Sequence, residues 1–104
     1  MRVITTSHEP GAGFTVDGYA RATRKIGVLC GTYGAGEGHN VINTVAGSFS
    51  EGVPILVVSE GPGEEKRKGG VLNHHQAKEI ESQFRIFQEI TCSARLISGN
   101  RKVY

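Results

Sequence analysis

Two short, uninterrupted apolar runs, Ile26-Gly27-Val28-Leu29-Cys30 and Ile55-Leu56-Val57-Val58, constrain the fold of this chain more than any other feature. Their length and lack of alternation are typical of strands buried on both faces of a parallel sheet. Between them lies an amphipathic segment whose apolar residues have the i, i+3, i+4, i+7 spacing of one helix face: Ile42, Val45, Ala46 and Phe49. A strand, a helix and a second strand in this order predict two parallel strands joined by a helical crossover.

Helical signals around this unit extend the pattern. Residues 10–23 predict a helix with Pro10 in its first turn, where a missing N–H costs nothing. Asp17 and Arg21 have the i, i+4 spacing of an ion pair on the exposed side of that helix. Gly52 and Pro54 mark the end of the central helix, because glycine is favoured just after a helix and proline cannot continue one.

The remaining elements follow from shorter signals. The β-branched residues 2–6 predict a first strand, residues 91–97 predict a last strand, and a helix is predicted from the spacing of Ile80, Phe84 and Phe87. Residues 59–73 predict a loop of about fifteen residues, in which the charge run Glu64–Lys68 is solvated. The order β-α-β-α-β-loop-α-β predicts an α/β fold: a single domain over residues 1–104 with a parallel sheet flanked by helices on both faces.

Composition and motif searches exclude several functional classes. The formal charge is +2, and no Lys/Arg stripe with interleaved aromatic residues is present, so nucleic acid is not an expected partner. No apolar run reaches membrane-spanning length, so a membrane is not expected either. Cys30 and Cys92 lie apart in apolar runs, which predicts small buried thiols of a cytoplasmic protein and no disulfide or zinc site. The chain has no P-loop, and its Gly34-Ala35-Gly36-x-Gly38 turn does not fit the G-x-G-x-x-G fingerprint.

The candidate chemistry lies at Glu9, at the glycine turn after Thr32, and at the pair His74-His75. Glu9 follows the predicted first strand and starts a helix, at the sheet edge where α/β folds bind ligands. The alternative is an acid that only interacts favourably with the helix dipole. The histidines are suited to proton transfer near neutral pH, or they are simply the polar end of a loop. Adjacent histidines are expected to project in different directions, so no metal site is predicted.

The order of these segments resembles that of thiamine-diphosphate-dependent enzymes. Residues 8–21 (HEPGAGFTVDGYAR) are similar to the segment that carries the cofactor-contacting glutamate of this superfamily. Residues 32–36 and 43–51 resemble the T-x-G-x-G turn and the following helix of its pyrimidine-binding (PYR) domain. Residues 72–76 and 83–91 narrow the resemblance to the 2-oxoacid decarboxylases, in which an HH pair is characteristic. The resemblance covers about residues 1–97.

The resemblance implies a role for each candidate residue. Glu9 would be both catalytic and cofactor-binding, by hydrogen-bonding N1′ of the aminopyrimidine of thiamine diphosphate. Thr32 and Gly34 would belong to the cofactor-binding turn. His74 and His75 would line the substrate side and assist proton transfers. The implied activity is that of a carbon–carbon lyase, which decarboxylates a 2-oxoacid to an aldehyde, with aromatic substrates such as phenylpyruvate or indolepyruvate favoured.

The resemblance also implies that this chain holds only part of a site. Mg²⁺ and the diphosphate would be held by a pyrophosphate domain that this sequence lacks, within a homodimer, a tetramer or a complex with a pyrophosphate-domain partner. The sequence is expected to be incomplete at both ends, since an early acidic loop residue and a helix after Ile97 are missing. The lone chain is therefore expected to be inactive. Two alternatives stay open: a non-catalytic truncated paralogue that acts as a dimerisation or binding module, and one subunit of a two-chain decarboxylase.

Overall fold

A strand-helix-strand unit forms the centre of the structure, a computed structural model that describes residues 2–35, 38–69 and 74–97. Strand β1 (Gly27–Gly31) pairs in parallel with β2 (Ile55–Ser59), with Gly27 opposite Ile55 and Gly31 opposite Ser59. A 3₁₀ helix (Gly38–Val41) and helix α2 (Ile42–Ser50) form the crossover between them. The parallel sheet, the central helix and the α/β fold class predicted from the two apolar runs are confirmed.

The ends of the helices follow local rules. Helix α1 (Glu9–Thr23) has Pro10 in its first turn and ends where Arg24 adopts a left-handed conformation, with its N–H donating to the carbonyl of Ala20. Helix α2 ends as Gly52 predicted, because that glycine has φ +68° and its N–H donates to the carbonyl of Phe49. Two more helices follow, α3 (Glu64–Lys68) and α4 (Ser82–Glu89).

A small apolar core joins three of the helices to one face of the sheet. Its buried members are Leu29, Val41, Val45 and Phe87. Backbones approach closely around it: a Cβ on Gly13 of α1 would press on Thr44 of α2, and one on Gly27 would press on Val16. Gly13 of α1 and Gly27 of β1 therefore permit close packing of α1 against α2 and the sheet.

The opposite face of the sheet is exposed, so the prediction that both strands are buried on two faces is wrong for the described residues. Burial alternates along β1 and β2, and Val28, Leu56 and Val58 remain 54%, 52% and 50% exposed. Cys30 and Cys92 are exposed as well, against the prediction of buried thiols. Uninterrupted apolar runs indicated strands correctly but did not reveal which faces would be covered.

Three segments differ from the sequence-based expectations. Residues 2–6 and 91–97 form no strand, because neither segment pairs with β1 or β2 through a ladder of hydrogen bonds. The charge run predicted as a solvated loop forms helix α3, whose residues are strong helix formers with the basic ones in the last turn. Residues 70–73 of the predicted loop lie outside the described residues. No helix in the described ranges is long and apolar enough to cross a membrane.

Candidate functional site

The candidate residues gather at the carboxyl edge of the sheet. Both strands end there, β1 at Gly31 and β2 at Ser59. Only a short connection separates the end of α1 from the start of β1, so α1 runs back across the sheet and its first residue, Glu9, lies at the same edge. This is the edge at which ligands bind in parallel α/β folds.

Glu9 is held lightly at the first position of α1. Its Oε2 accepts a long hydrogen bond of 3.4 Å from Nδ2 of Asn40 in the 3₁₀ helix, and its side chain is half-buried. Among the described residues Glu9 forms no ion pair, in contrast to the acids Asp17, Glu51, Glu79 and Glu81. The carboxylate is therefore placed by the helix start and a neutral amide, and it is not neutralised by a cation of the described chain.

The backbone of Gly34 is fixed by contacts with Gln83, His39 and His75. It has φ +85°, and a Cβ at this position would overlap the carbonyl oxygen of His75. Its N–H donates to Oε1 of Gln83 at 2.5 Å, and its carbonyl accepts the N–H of His39 at 3.0 Å. Since both of its backbone polar groups are already bonded, Gly34 contributes the shape of the turn and close approach, rather than a free donor.

The histidine pair lies against the glycine turn. The carbonyl of His75 accepts the N–H of Ala35 at 2.6 Å, and His75 itself has φ +64°, a conformation uncommon outside glycine. The rings of His74 and His75 are in contact, with centroids 3.7 Å apart and planes inclined at 60°. The expectation that adjacent histidines project in different directions is therefore wrong here, because the left-handed turn at His75 brings the two rings together.

Ser59 and Gln83 join this site, although sequence reasoning did not single them out. Nε2 of Gln83 donates to Oγ of Ser59 at 2.7 Å, and Oγ of Ser59 donates to the carbonyl of Thr32 at 2.7 Å. Ser59 could have been found, because it directly follows an apolar run, at the carboxyl end of a strand. Gln83 opens the segment 83–91 that carries part of the resemblance, but no sequence pattern predicts its contacts, which reach residues 24 and 49 positions away.

The structure thus brings Thr32, Gly34 and His75 into one hydrogen-bonded cluster. Glu9 lies beside this cluster across the 3₁₀ helix: Asn40 contacts Glu9, and the preceding residue, His39, bonds to Gly34. An open cleft of about 550 Å³ lies next to the same edge, lined by Cys30, Gly31, Thr32, Val58, Ser59 and Glu60. No group of three His, Cys, Asp or Glu side chains in the described residues could hold a metal ion. The catalytic and cofactor-binding roles of Glu9, Thr32, Gly34, His74 and His75 stay predictions.

A separate charge network stabilises the packing of α1 on α2. Arg21 bridges Asp17 and Glu51, with closest N–O distances of 2.6 Å each, and Oγ of Ser48 donates to Asp17 at 2.7 Å. Hydrogen bonds from Arg21 and then from Ser48 lower the pKa of Asp17, and the two carboxylates raise the pKa of Arg21. The i, i+4 pair predicted from the sequence is confirmed, and its extension to Ser48 and Glu51 has a structural role.

Parallel strands, a helix-start carboxylate and a bonded glycine turn at one edge define a ligand-binding α/β domain. Residues 1–86 match the family described as "Thiamine pyrophosphate enzyme, N-terminal TPP binding domain". The match covers most of the chain, and the chain therefore belongs to this family.

Individual relatives narrow the similarity to decarboxylases. The chain is 45% identical over 93 residues to the indole-3-pyruvate decarboxylase of Azospirillum brasilense, covering 88% of this chain and 17% of that protein. It is 33% identical over 101 residues to pyruvate decarboxylase 1 of Oryza sativa subsp. indica and 31% identical over 101 residues to pyruvate decarboxylase 2 of Arabidopsis thaliana. Each of the latter two matches covers 95% of this chain and 16% of the relative. The chain thus spans about a sixth of the length of these relatives.

Proposed function

We propose that this chain supplies the pyrimidine-facing half of a thiamine diphosphate site in an enzyme that decarboxylates a 2-oxoacid to an aldehyde. The observation that carries the proposal is the family match together with Glu9, a carboxylate at the carboxyl edge of the sheet that pairs with no described cation. An aromatic 2-oxoacid such as indolepyruvate or phenylpyruvate is the favoured substrate. The higher identity to a protein named indole-3-pyruvate decarboxylase than to the pyruvate decarboxylases supports this preference.

The residues present fit the pyrimidine end of this cofactor. Among the residues that the structure describes, Glu9 has only a long hydrogen bond from a neutral amide, so its carboxylate can accept a stronger, charge-assisted hydrogen bond from a ring N–H. At the turn, the absence of a Cβ lets Gly34 pack directly against the carbonyl of His75, which fixes the backbone beside Thr32 at the edge of the site. When bound, thiamine diphosphate supplies the electron sink that decarboxylation of a 2-oxoacid requires.

The protein groups then have separate tasks. Glu9 holds and orients the pyrimidine ring and keeps a proton on its bonded nitrogen. Thr32 and Gly34 shape the turn beside the ring. His74 and His75, whose rings are in contact and exposed, position the substrate carboxylate and exchange protons on the substrate side.

The proposal assigns the other half of the site to a different domain. Mg²⁺ and the diphosphate are held by a pyrophosphate-binding domain, which meets this domain in a homodimer, in a tetramer or as a partner chain. A cytoplasmic location completes the proposal. These partners and this location stay predictions.

A chimeric enzyme tests the proposed function. The matching segment of the Azospirillum indole-3-pyruvate decarboxylase would be replaced by the residues of this chain, and aldehyde formation would be measured with indolepyruvate and with pyruvate. We expect turnover of both, with a higher kcat/KM for indolepyruvate. Glu9→Gln should lower kcat by at least about 100-fold, because an amide cannot hold the ring proton as a carboxylate does.

Glu89→Gln is the matched control, since Glu89 is an exposed acid at the end of α4, and it should leave kcat within about twofold because exposed surface substitutions have small effects. Near-normal turnover of the Glu9→Gln chimera would rule out the role assigned to Glu9. A chimera that prefers pyruvate would rule out the aromatic preference and leave the rest of the proposal standing.

A further inference from the structure

The carboxamide of Gln83 lies at the centre of the hydrogen bonds that build the glycine turn. Its Oε1 accepts the N–H of Gly34 at 2.5 Å, and its Nε2 donates to Oγ of Ser59 at 2.7 Å. The same Oγ of Ser59 donates a hydrogen bond to the carbonyl of Thr32 at 2.7 Å. One side chain of α4 therefore bonds directly to Gly34 and, through Ser59, to Thr32.

The direction of these hydrogen bonds allows only one orientation of the amide. The N–H of Gly34 needs an acceptor, so it must meet Oε1. The Ser59 hydroxyl lies within donating distance of the carbonyls of Thr32 at 2.7 Å and Glu60 at 3.2 Å, so its Oγ accepts from the Gln83 side, where the donor is Nε2. Steric packing adds to this constraint, because a Cβ on Gly38 would overlap the Gln83 carboxamide.

The turn that Gln83 holds is also the turn that holds His75. The residue next to Gly34, Ala35, donates its N–H to the carbonyl of His75, and Gly34 itself packs against that carbonyl. If the turn shifts, the left-handed backbone of His75 loses its partner. The Thr32–Ala35 turn and the histidine pair are therefore coupled through Gly34.

We propose that Gln83 is a positioning residue of this site, which locks the Thr32–Ala35 turn to the end of β2 and, through that turn, fixes the backbone of His75. The role of Gln83 in catalysis rests on the proposed function. Its effect on the position of the turn does not, because that effect follows from the hydrogen bonds to Gly34 and Ser59. Gln83 acts through Gly34, Ser59 and Thr32 and needs no contact with a ligand. A glutamine is required because the position needs an acceptor on one side and a donor on the other.

Amide hydrogen exchange of the full 104-residue chain, followed by NMR, tests the lock. Gln83→Met removes both hydrogen bonds, and we expect the Gly34 amide to exchange about tenfold faster, relative to the Val45 amide in the core, and the His75 ring signals to shift. Gln83→Glu keeps an acceptor for Gly34 but cannot donate to Ser59, so Gly34 should stay protected while the Thr32 carbonyl ¹³C signal shifts. Ser59→Ala should likewise move Thr32 and spare Gly34.

Gln88→Met is the matched control, because Gln88 is an exposed glutamine of the same helix. It should leave the signals of Thr32, Gly34 and His75 in place. The proposal is overturned if Gly34 exchanges no faster in Gln83→Met than in Gln88→Met, or if the His75 signals do not respond. Should Gln83→Met fail to fold, Gln83→Glu and Ser59→Ala carry the same test through the Thr32 signal.

This experiment separates the lock from the proposed function. It involves no cofactor, so an active Glu9→Gln chimera would overturn the role of Glu9 without changing the exchange of Gly34. Conversely, an unprotected Gly34 in the unaltered chain would overturn the lock and leave the role of Glu9 intact.

Discussion

At the scale of single residues, the site depends on two residues with left-handed backbone conformations, Gly34 and His75. Gly34 combines φ +85° with a carbonyl oxygen of His75 in the place of a Cβ. His75 has the opposite property: it adopts φ +64° despite its Cβ, and its carbonyl is thereby directed to Ala35. Strain of this kind persists only where neighbouring contacts fix it.

Replacement of Gly34 should therefore destabilise the chain. We expect Gly34→Ala to lower the free energy of unfolding by at least about 2 kcal/mol, since a left-handed alanine costs roughly 1–2 kcal/mol and the overlap with His75 adds to this. Urea denaturation measures the change. Gly47→Ala is the control, because Gly47 lies inside α2 and no other part of the described chain comes within 4 Å of a new Cβ there; it should stabilise the chain by about 0.5–1 kcal/mol. Equal stabilities of the two variants would contradict this account of Gly34.

A buried hydroxyl between α1 and α2 offers a second test at this scale. Thr44 is 3% exposed and lies next to Gly13. Its Oγ1 has no hydrogen-bond partner among the described residues. Thr44→Val keeps the shape and removes the unpaired oxygen, so it should raise the free energy of unfolding by about 1 kcal/mol. Thr15→Val is the comparison, because the exposed Thr15 hydroxyl donates to the Gly11 carbonyl at 2.7 Å and its loss should not stabilise the chain. A destabilised Thr44→Val would show that this hydroxyl is bonded in solution.

At the scale of elements, α1 and α2 are joined by charge on one side and by close packing on the other. Hydrogen bonds from Arg21 and Ser48 lower the pKa of Asp17 in the folded state. The ionised Asp17 therefore stabilises the folded chain fully at pH values above its pKa in the unfolded state, which is near 3.8. This stabilisation is lost as pH falls through the lower, folded value. Asp17→Asn should therefore cost about 1 kcal/mol at pH 7, and this difference should shrink as the pH falls below about 4.

Unfolding of both proteins by urea across this pH range measures the effect. Glu79→Gln is the control, because the Glu79–Arg85 pair is exposed on both sides and should contribute less. A pH-independent difference between Asp17→Asn and the unaltered chain would show that the charge of Asp17 is not what stabilises the contact.

The same scale shows what the sequence could and could not predict. Helices α1 and α2 and both strands were predictable, because their periodicity, caps and apolar runs are local. Segments 2–6 and 91–97 were mispredicted as strands, because a strand also needs a neighbour to pair with, and neither segment pairs with the sheet. Within the site, Glu9, Thr32, Gly34 and the histidines stood out by motif, whereas Gln83 matters only through contacts that the folded chain creates.

At the scale of the whole molecule, the domain presents one edge with groups suited to a ring and a substrate. The sheet, α1 and the 3₁₀ helix place Glu9 near Gly34. Helix α4 brings Gln83 to the N–H of Gly34, and the N–H of Ala35 holds the carbonyl of His75. This arrangement offers a carboxylate and a shaped turn. Our proposal gives the diphosphate and Mg²⁺ to another domain, so it also predicts how the chain discriminates between cofactor fragments.

Calorimetric titrations with thiamine and with thiamine diphosphate plus Mg²⁺ measure that discrimination. If the chain contacts only the pyrimidine ring, both ligands should bind weakly, with Kd values of about 1 mM or above and a ratio within about threefold, because the diphosphate adds no contact. Glu9→Gln should weaken both equally, since each ligand carries the same ring, and Glu89→Gln should weaken neither. Thiamine diphosphate that binds at least about tenfold more tightly than thiamine would place a diphosphate site on this chain and contradict the division of the site between two domains.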